Sequence, residues 1–201
     1  MKLNKLFQKT DAFLNVHYKR LSMKHNPEKH MHPMTEHIKN NYNHNNLVGV
    51  EIGVREGDNA KNMLMLLPIK KLFLVDPYIE YPLRNQKEQD YMYSYMVKNI
   101  KKYKDRIEII KMLSSEAIRY IPDNLDYVFD DGNHDYEFIK QDIELYYPKV
   151  KPGGIFGGHD YCFGYPGVIK AVDDFVDDNG LFLYRGEHDW WIEKPKMKGL
   201  I

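Results

Sequence analysis

This sequence holds a single cysteine, Cys162, among 201 residues. An internal disulfide is therefore excluded, and nothing suggests a secreted, disulfide-stapled scaffold. It has no surplus of either charge, since 29 Lys and Arg balance 29 Asp and Glu. A polyanionic partner calls for a basic surplus, so the balance argues against DNA or RNA. No apolar run approaches the roughly 20 residues that span a bilayer, and no membrane partner is expected. The opening stretch, MKLNKLFQKTDAFLNV, has a basic flank but neither a long apolar core nor a small-residue cleavage site. A signal peptide is not expected there, and the expected location is the cytoplasm. No internal repeat is visible. The dinucleotide fingerprint G-x-G-x-x-G is also missing: the glycine turn from Glu51 to Gly57 reads E-I-G-V-R-E-G, which disfavours an NAD(P)-dependent oxidoreductase.

What is present is a chain organised around Leu47–Gly57. An apolar run, Leu47 to Val50, meets an acid at Glu51, and glycines follow at 53 and 57. The length and a 43% apolar content suit one domain with a sizeable core. Ala60, Met63, Leu64 and Leu67 predict a helix over Asn59–Leu67, ended by Pro68. Lys71–Asp76 reads as a second buried strand that finishes in an acid. A helix is expected within residues 80–104 from Tyr91, Tyr95 and Ile100, with Met92 and Met96 on an adjacent stripe; the tyrosines could line an acceptor pocket, but at helical spacing the core is favoured. Arg106–Met112 alternates as a third strand. Ser114-Ser115-Glu116 is placed to cap a helix running to Ile121. Leu125–Phe129 is the fourth strand, Tyr136–Tyr147 a helix, and Lys151-Pro152-Gly153-Gly154 a turn. A fifth strand runs from Ile155 to His159-Asp160. Val168–Val176 is helical, and Leu181–Tyr184 with Trp190–Ile192 closes the chain as an antiparallel hairpin. Trp190 and Trp191 are expected in the core or at an interface.

Strands alternating with helices predict an α/β fold whose mostly parallel sheet is covered on both faces. Ligands gather at the carboxyl ends of such strands. The informative polar residues fall there: Glu51, Asp76, Asp131 and His159-Asp160. Residues 1–46 are expected to be a helical, His- and Asn-rich cap or lid, and 47–201 the main domain. Leu3, Leu6, Phe7, Phe13 and Leu14 mark a short amphipathic helix at the start. Six of the nine histidines lie between His17 and His44. A His-rich tract can bind metal, but the irregular spacing and the lack of any paired His at i, i+4 favour a solvated loop or lid.

The acid-x-Gly-x-x-x-Gly pattern of Glu51–Gly57 resembles the first motif of class I S-adenosylmethionine (SAM)-dependent methyltransferases. A narrower resemblance follows from the D-G-x-H-x-Y block at Asp131–Tyr136, K-P-G-G at Lys151–Gly154, G-H-D-Y at Gly158–Tyr161, and Y-P-G-V then A-V-D-D-F at Tyr165–Phe175. These blocks look like the metal-dependent sugar O-methyltransferases of the macrocin type. The resemblance spans roughly residues 49 to 175 and leaves residues 1–46 unmatched.

It implies a Rossmann-like fold and SAM as methyl donor. Glu51, Gly53 and Gly57 would meet the amino-acid part of SAM, the glycines by letting the backbone approach. Asp76 would accept the ribose hydroxyls, and Ser114 and Ser115 stand where adenine contacts come, although a helix cap explains them equally well. One Mg²⁺ or Mn²⁺ would be held by Asp131 and Asp160. His159, where some relatives have a carboxylate, is either a third ligand or turned away from the ion. Asp131 would act catalytically through the ion, and His134 resembles the general base. The implied acceptor is a hydroxyl of a small molecule, a sugar or glycosylated metabolite above all. Alternatives are a catechol-type enzyme and a non-catalytic binding protein that keeps the fold. A homo-oligomer is compatible with the pattern.

Overall fold

The apolar run that opens the main domain becomes the central strand of a sheet. β1 (Leu47–Ile52) pairs in parallel with β2 (Ile69–Val75) on one side and β4 (Leu125–Asp130) on the other. With β3 (Ile107–Ile110), β5 (Val150–Gly158), β6 (Tyr184–Gly186) and β7 (Asp189–Glu193), the order is β3-β2-β1-β4-β5-β7-β6. β1 to β5 are mutually parallel, while β7 runs antiparallel to both β5 and β6. This is the expected Rossmann-like architecture with its closing hairpin. The computed structural model describes residues 21–23, 25–42 and 45–196. Nearly all of the helix expected at the start, together with His17 and His44, lies outside the described residues.

Successive strand residues point to opposite faces, and both faces are apolar. Leu72 and Leu74 pack with α1 (Pro33–Asn41), α2 (Asp58–Leu66) and α3 (Gln86–Ile100). Phe73 and Val75 join the opposite layer, with α4 (Ser114–Ala117), α5 (Tyr136–Tyr146) and α6 (Pro166–Asn179). Trp190 and Trp191, 0% and 7% exposed, divide between the two layers as adjacent strand residues must. Among the described residues no helix is long and apolar enough to cross a membrane.

Four local expectations are corrected. The K-P-G-G stretch lies inside β5 rather than in a turn before it. A register shift opposite Leu125–Tyr127 absorbs the extra residues, and the Gly153 amide donates to the Lys194 carbonyl at 2.7 Å. On α3 the buried stripe is Met92, Met96 and Ile100, and Tyr91 is 64% exposed. Flexible methionines can fit closely over a turn where ring systems cannot. Helix α4 starts after Leu113 with no side-chain cap, so Ser114 does not cap it. Finally, the segment before β1 is not a solvated loop. Met34 and Ile38, one turn apart on α1, are 0% and 2% exposed, and the His37 ring lies 5.2 Å from that of Trp191.

Candidate functional site

The carboxyl ends of β1, β2, β4 and β5 carry the polar residues that the apolar strands deliver there. The Asp131 amide donates to the Ile52 carbonyl at 2.8 Å, and the His159 amide to the Asp130 carbonyl at 3.0 Å, so the strand ends are stitched to one another. Asp160 leaves β5 with a left-handed φ of 61°, which turns its carboxylate back over β4. His134 Nε2 then sits 3.0 Å from Asp160 Oδ2 and 3.5 Å from Asp131 Oδ1. Donor atoms of these three residues lie within 4.8 Å of one another. His159 takes a different course. Its Nδ1 is 3.0 Å from Asp160 Oδ1, while its Nε2 points to Asp189 Oδ1 at 3.8 Å. The group formed with Asp131 and Asp160 therefore contains His134, and His159 belongs to a neighbouring one with His32 and Asp189.

Charge follows this arrangement. Burial works against a proton on His134, but hydrogen bonds with Asp131 and Asp160 outweigh it and hold the imidazolium up to about 9. Burial would raise the Asp160 carboxyl; the hydrogen bonds from His134 and His159 overcome it and hold that carboxyl well below the usual range. The site is thus a compact cluster of two carboxylates around one imidazolium. It stays open to solvent, with His134, Asp131 and Asp160 side chains 29%, 31% and 16% exposed. The Tyr165 ring backs the imidazole at 4.5 Å between centroids.

Across β1 lies the glycine turn. Glu51 is 2% exposed. Asn59 Nδ2 donates to its Oε1 at 3.1 Å, and its Oε2 is buried with no partner among the described residues. Burial pushes this carboxyl well above the carboxylate range. Asp76, just past β2, accepts the Val54 and Arg55 amides on Oδ2, both at 3.0 Å, and the Tyr78 amide on Oδ1 at 2.9 Å. Its carboxylate ties the turn to the second strand.

A family model described as a methyltransferase domain matches residues 50–161, the span from β1 to the end of the His159-Asp160 loop. The chain belongs to the class I methyltransferases. An uncharacterised protein of Acanthamoeba polyphaga mimivirus is 31% identical to this methyltransferase over 156 residues, 74% of this chain and 67% of that protein. The structure of the O-methyltransferase NovP superposes with a TM-score of 0.61 at 17% identity, covering 81% of this chain and 76% of NovP. The calicheamicin methyltransferase CalS11 does so with a TM-score of 0.60 at 15% identity, covering 95% and 85%. At these identities the two structures are likenesses of fold.

A class I methyltransferase takes its methyl group from SAM, and the residues around the turn fit that donor. Glu51 Oε2, buried with no partner among the described residues, is an acceptor that an amine could satisfy. Asp76 has three of about four acceptor positions occupied by amides, leaving one on Oδ1 for a hydroxyl without disturbing the turn. The glycines are required by the protein itself. A Cβ on Gly53 (φ 79°) would stand 2.0 Å from the Asp131 carbonyl oxygen, and one on Gly57 (φ 72°) 2.9 Å from Met96 Cγ. Ser114 turns inward: its hydroxyl bonds Asp142 and its carbonyl accepts from Tyr146 Oη at 2.8 Å. Ser115 is half-buried beside it.

Among the buried acids that sequence reasoning missed in this methyltransferase are Asp142 and Asp189. Asp142 lies within the apolar stripe Ile139, Ile143 and Tyr146 of α5, and all four are buried. An acid inside an i, i+3, i+4, i+7 stripe was a legible sign of burial. It faces Asp130, and burial, then Asp142, raises the Asp130 carboxyl well above its usual range. Burial pushes Asp142 itself up to about 6. A raised carboxyl means the folded state binds more protons than the unfolded one between about pH 4 and 6, so stability falls as pH rises through that window. Asp142→Asn removes the cost. We expect urea unfolding at pH 8 to show a gain of about 1–3 kcal/mol that vanishes at pH 4. An equal gain at both pH values would remove the titration from the explanation. The second missed acid, Asp189, starts β7 before an apolar pair and carries no helical or strand-end sign of its role.

Proposed function

We propose that this methyltransferase transfers the SAM methyl group to a hydroxyl of a small molecule, a sugar or glycosylated metabolite, with a divalent cation assisting. The observation that supports the reading is the convergence of Asp131, His134 and Asp160 on one point at the ends of β4 and β5, beside the glycine turn. Two partly exposed carboxylates on adjacent strands are a hard-oxygen donor pair suited to Mg²⁺ or Mn²⁺. Such an ion supplies a lowered pKa to a bound hydroxyl. Asp131 and Asp160 would hold it. His134 Nε2, within 3.5 Å of both carboxylates, would be the acceptor for the hydroxyl proton. Glu51 and the Gly53–Gly57 turn would hold the donor, whose chemistry is in-line attack of the acceptor oxygen on the methyl carbon, the O–C bond forming as the C–S bond breaks. The loop after β5 supplies apolar faces for an acceptor: Tyr165 against His134, and Phe163, 98% exposed, two residues before it.

Calorimetry with S-adenosylhomocysteine tests the donor half. Saturable binding tighter than about 1 mM is expected, and silence at millimolar ligand would sink it. The acceptor half is tested by a screen of sugars against catechols with and without chelator; turnover confined to catechols, or undiminished by chelator, overturns the sugar or the cation.

A further inference from the structure

Outside the triad described above, one cluster among the described residues brings metal-binding atoms together from three distant parts of the chain. His32 precedes α1, His159 follows β5, and Asp189 opens β7. Donor atoms of the three lie within 4.8 Å of one another. His32 Nδ1 is 3.0 Å from Asp189 Oδ1, and His159 Nε2 is 3.8 Å from the same oxygen. The two imidazoles meet edge to face with centroids 5.0 Å apart. We propose that His32, His159 and Asp189 form a second metal site, for a borderline divalent ion of the zinc class, that fastens the segment before β1 onto the sheet.

The spacing suits it. Zinc–ligand bonds of about 2.0–2.1 Å at tetrahedral angles separate donor atoms by about 3.3 Å, and the two measured separations bracket that figure. The ligand set decides the class of ion, since two imidazoles with one carboxylate favour zinc, cobalt or iron over magnesium. A hydrogen bond between His32 and Asp189 accounts for one contact. It does not account for the second imidazole nitrogen, which faces the same Oδ1 from 3.8 Å, within ion-pair range but beyond hydrogen-bond reach.

The supporting partners are also in place. His159 Nδ1 faces Asp160 Oδ1 at 3.0 Å. A proton on Nδ1 bonded there leaves the Nε2 lone pair directed at the cluster. Asp189, 1% exposed, is held from its other side by the Met34 amide, which donates to Oδ2 at 3.0 Å. The edge of the Phe129 ring, 5.3 Å from His32 between centroids, fixes that imidazole. The His32 and His159 side chains remain 27% and 26% exposed, so an ion has a way in and water a remaining position. Because His159 also touches Asp160, this site orients a carboxylate of the methyl-transfer site without sharing its ion.

The test uses the full chain carrying Asp131→Asn with His134→Ala, which disables the other cluster and reads no methyl transfer, so it stands apart from the donor and acceptor readings. After stripping metal, Co²⁺ titration should give visible absorption bands from a nitrogen-bearing site at one ion per chain. Adding His32→Gln, whose amide can still donate to Asp189, should weaken Co²⁺ at least about 10- to 100-fold. Zn²⁺ should raise the melting temperature only while His32 is present. X-ray absorption of the Zn²⁺-loaded double variant should count two imidazoles, and this reading serves if the His32 variant does not fold. Co²⁺ bands absent from the double variant, bands indifferent to His32→Gln, or fewer than two imidazoles would each overturn the site.

Discussion

His134→Ala is expected to lower kcat by about 10²- to 10⁴-fold, the range for loss of a general base, while SAH affinity changes by less than about threefold. The expectation rests on position. His134 Nε2 is the atom on which Asp131 and Asp160 converge, at 3.5 and 3.0 Å, and it lies on the β4 and β5 side of the sheet. Glu51, Asp76 and the glycine turn, on the β1 and β2 side, would hold the donor without it. Steady-state kinetics with saturating SAM, set beside calorimetry of SAH and of Mn²⁺, separates the roles. A rate loss with Mn²⁺ affinity unchanged identifies the base. A Mn²⁺ affinity that falls with the rate makes His134 a ligand, which the shared 4.8 Å grouping also permits, and sends the search for a base elsewhere.

Gly53→Ala is expected to destabilise the fold strongly. The residue holds φ at 79°, and a Cβ there would stand 2.0 Å from the Asp131 carbonyl oxygen and 2.8 Å from Gly132 Cα. A left-handed alanine costs about 1–2 kcal/mol and overpacking against backbone about 1–3 more, so about 2–5 kcal/mol is expected in urea unfolding. Relief requires the Asp131–Gly132 backbone to move away from β1. That movement carries Asp131 off its alignment with Asp160 and reshapes the donor turn, so both SAH binding and turnover should fall in whatever fraction folds. A loss of less than about 1 kcal/mol with normal SAH binding would mean that the turn is slack and that the glycine is not what joins the two halves of the site.

Much of this could be read along the chain because it rests on local periodicity. Apolar runs ending in Glu51, Asp76, Asp130-Asp131 and His159-Asp160 give strands, their direction and the end at which polar groups collect. The K-P-G-G stretch was misread for a local reason: proline and glycine mark a turn unless a partner strand accepts a bulge, and β4 does so here at Leu125–Tyr127. The tyrosines of α3 were misread because aromatic and methionine stripes lie side by side on one helix, and only the close approach of Gly57 selects the methionines.

By itself the sequence determined the fold class, the mostly parallel sheet, the glycine turn and the identity of the residues at the β4 and β5 ends. These follow from spacing, which a chain carries with it. The tertiary structure alone decided how those residues divide. A left-handed Asp160 turns its carboxylate to the Asp131–His134 pair, and the return of β7 against β5 sets Asp189 between His32 and His159, residues separated by more than a hundred positions. Such groupings depend on where helices and strands cross in space, and no periodicity along the chain encodes a distance between residues that meet only when the sheet closes.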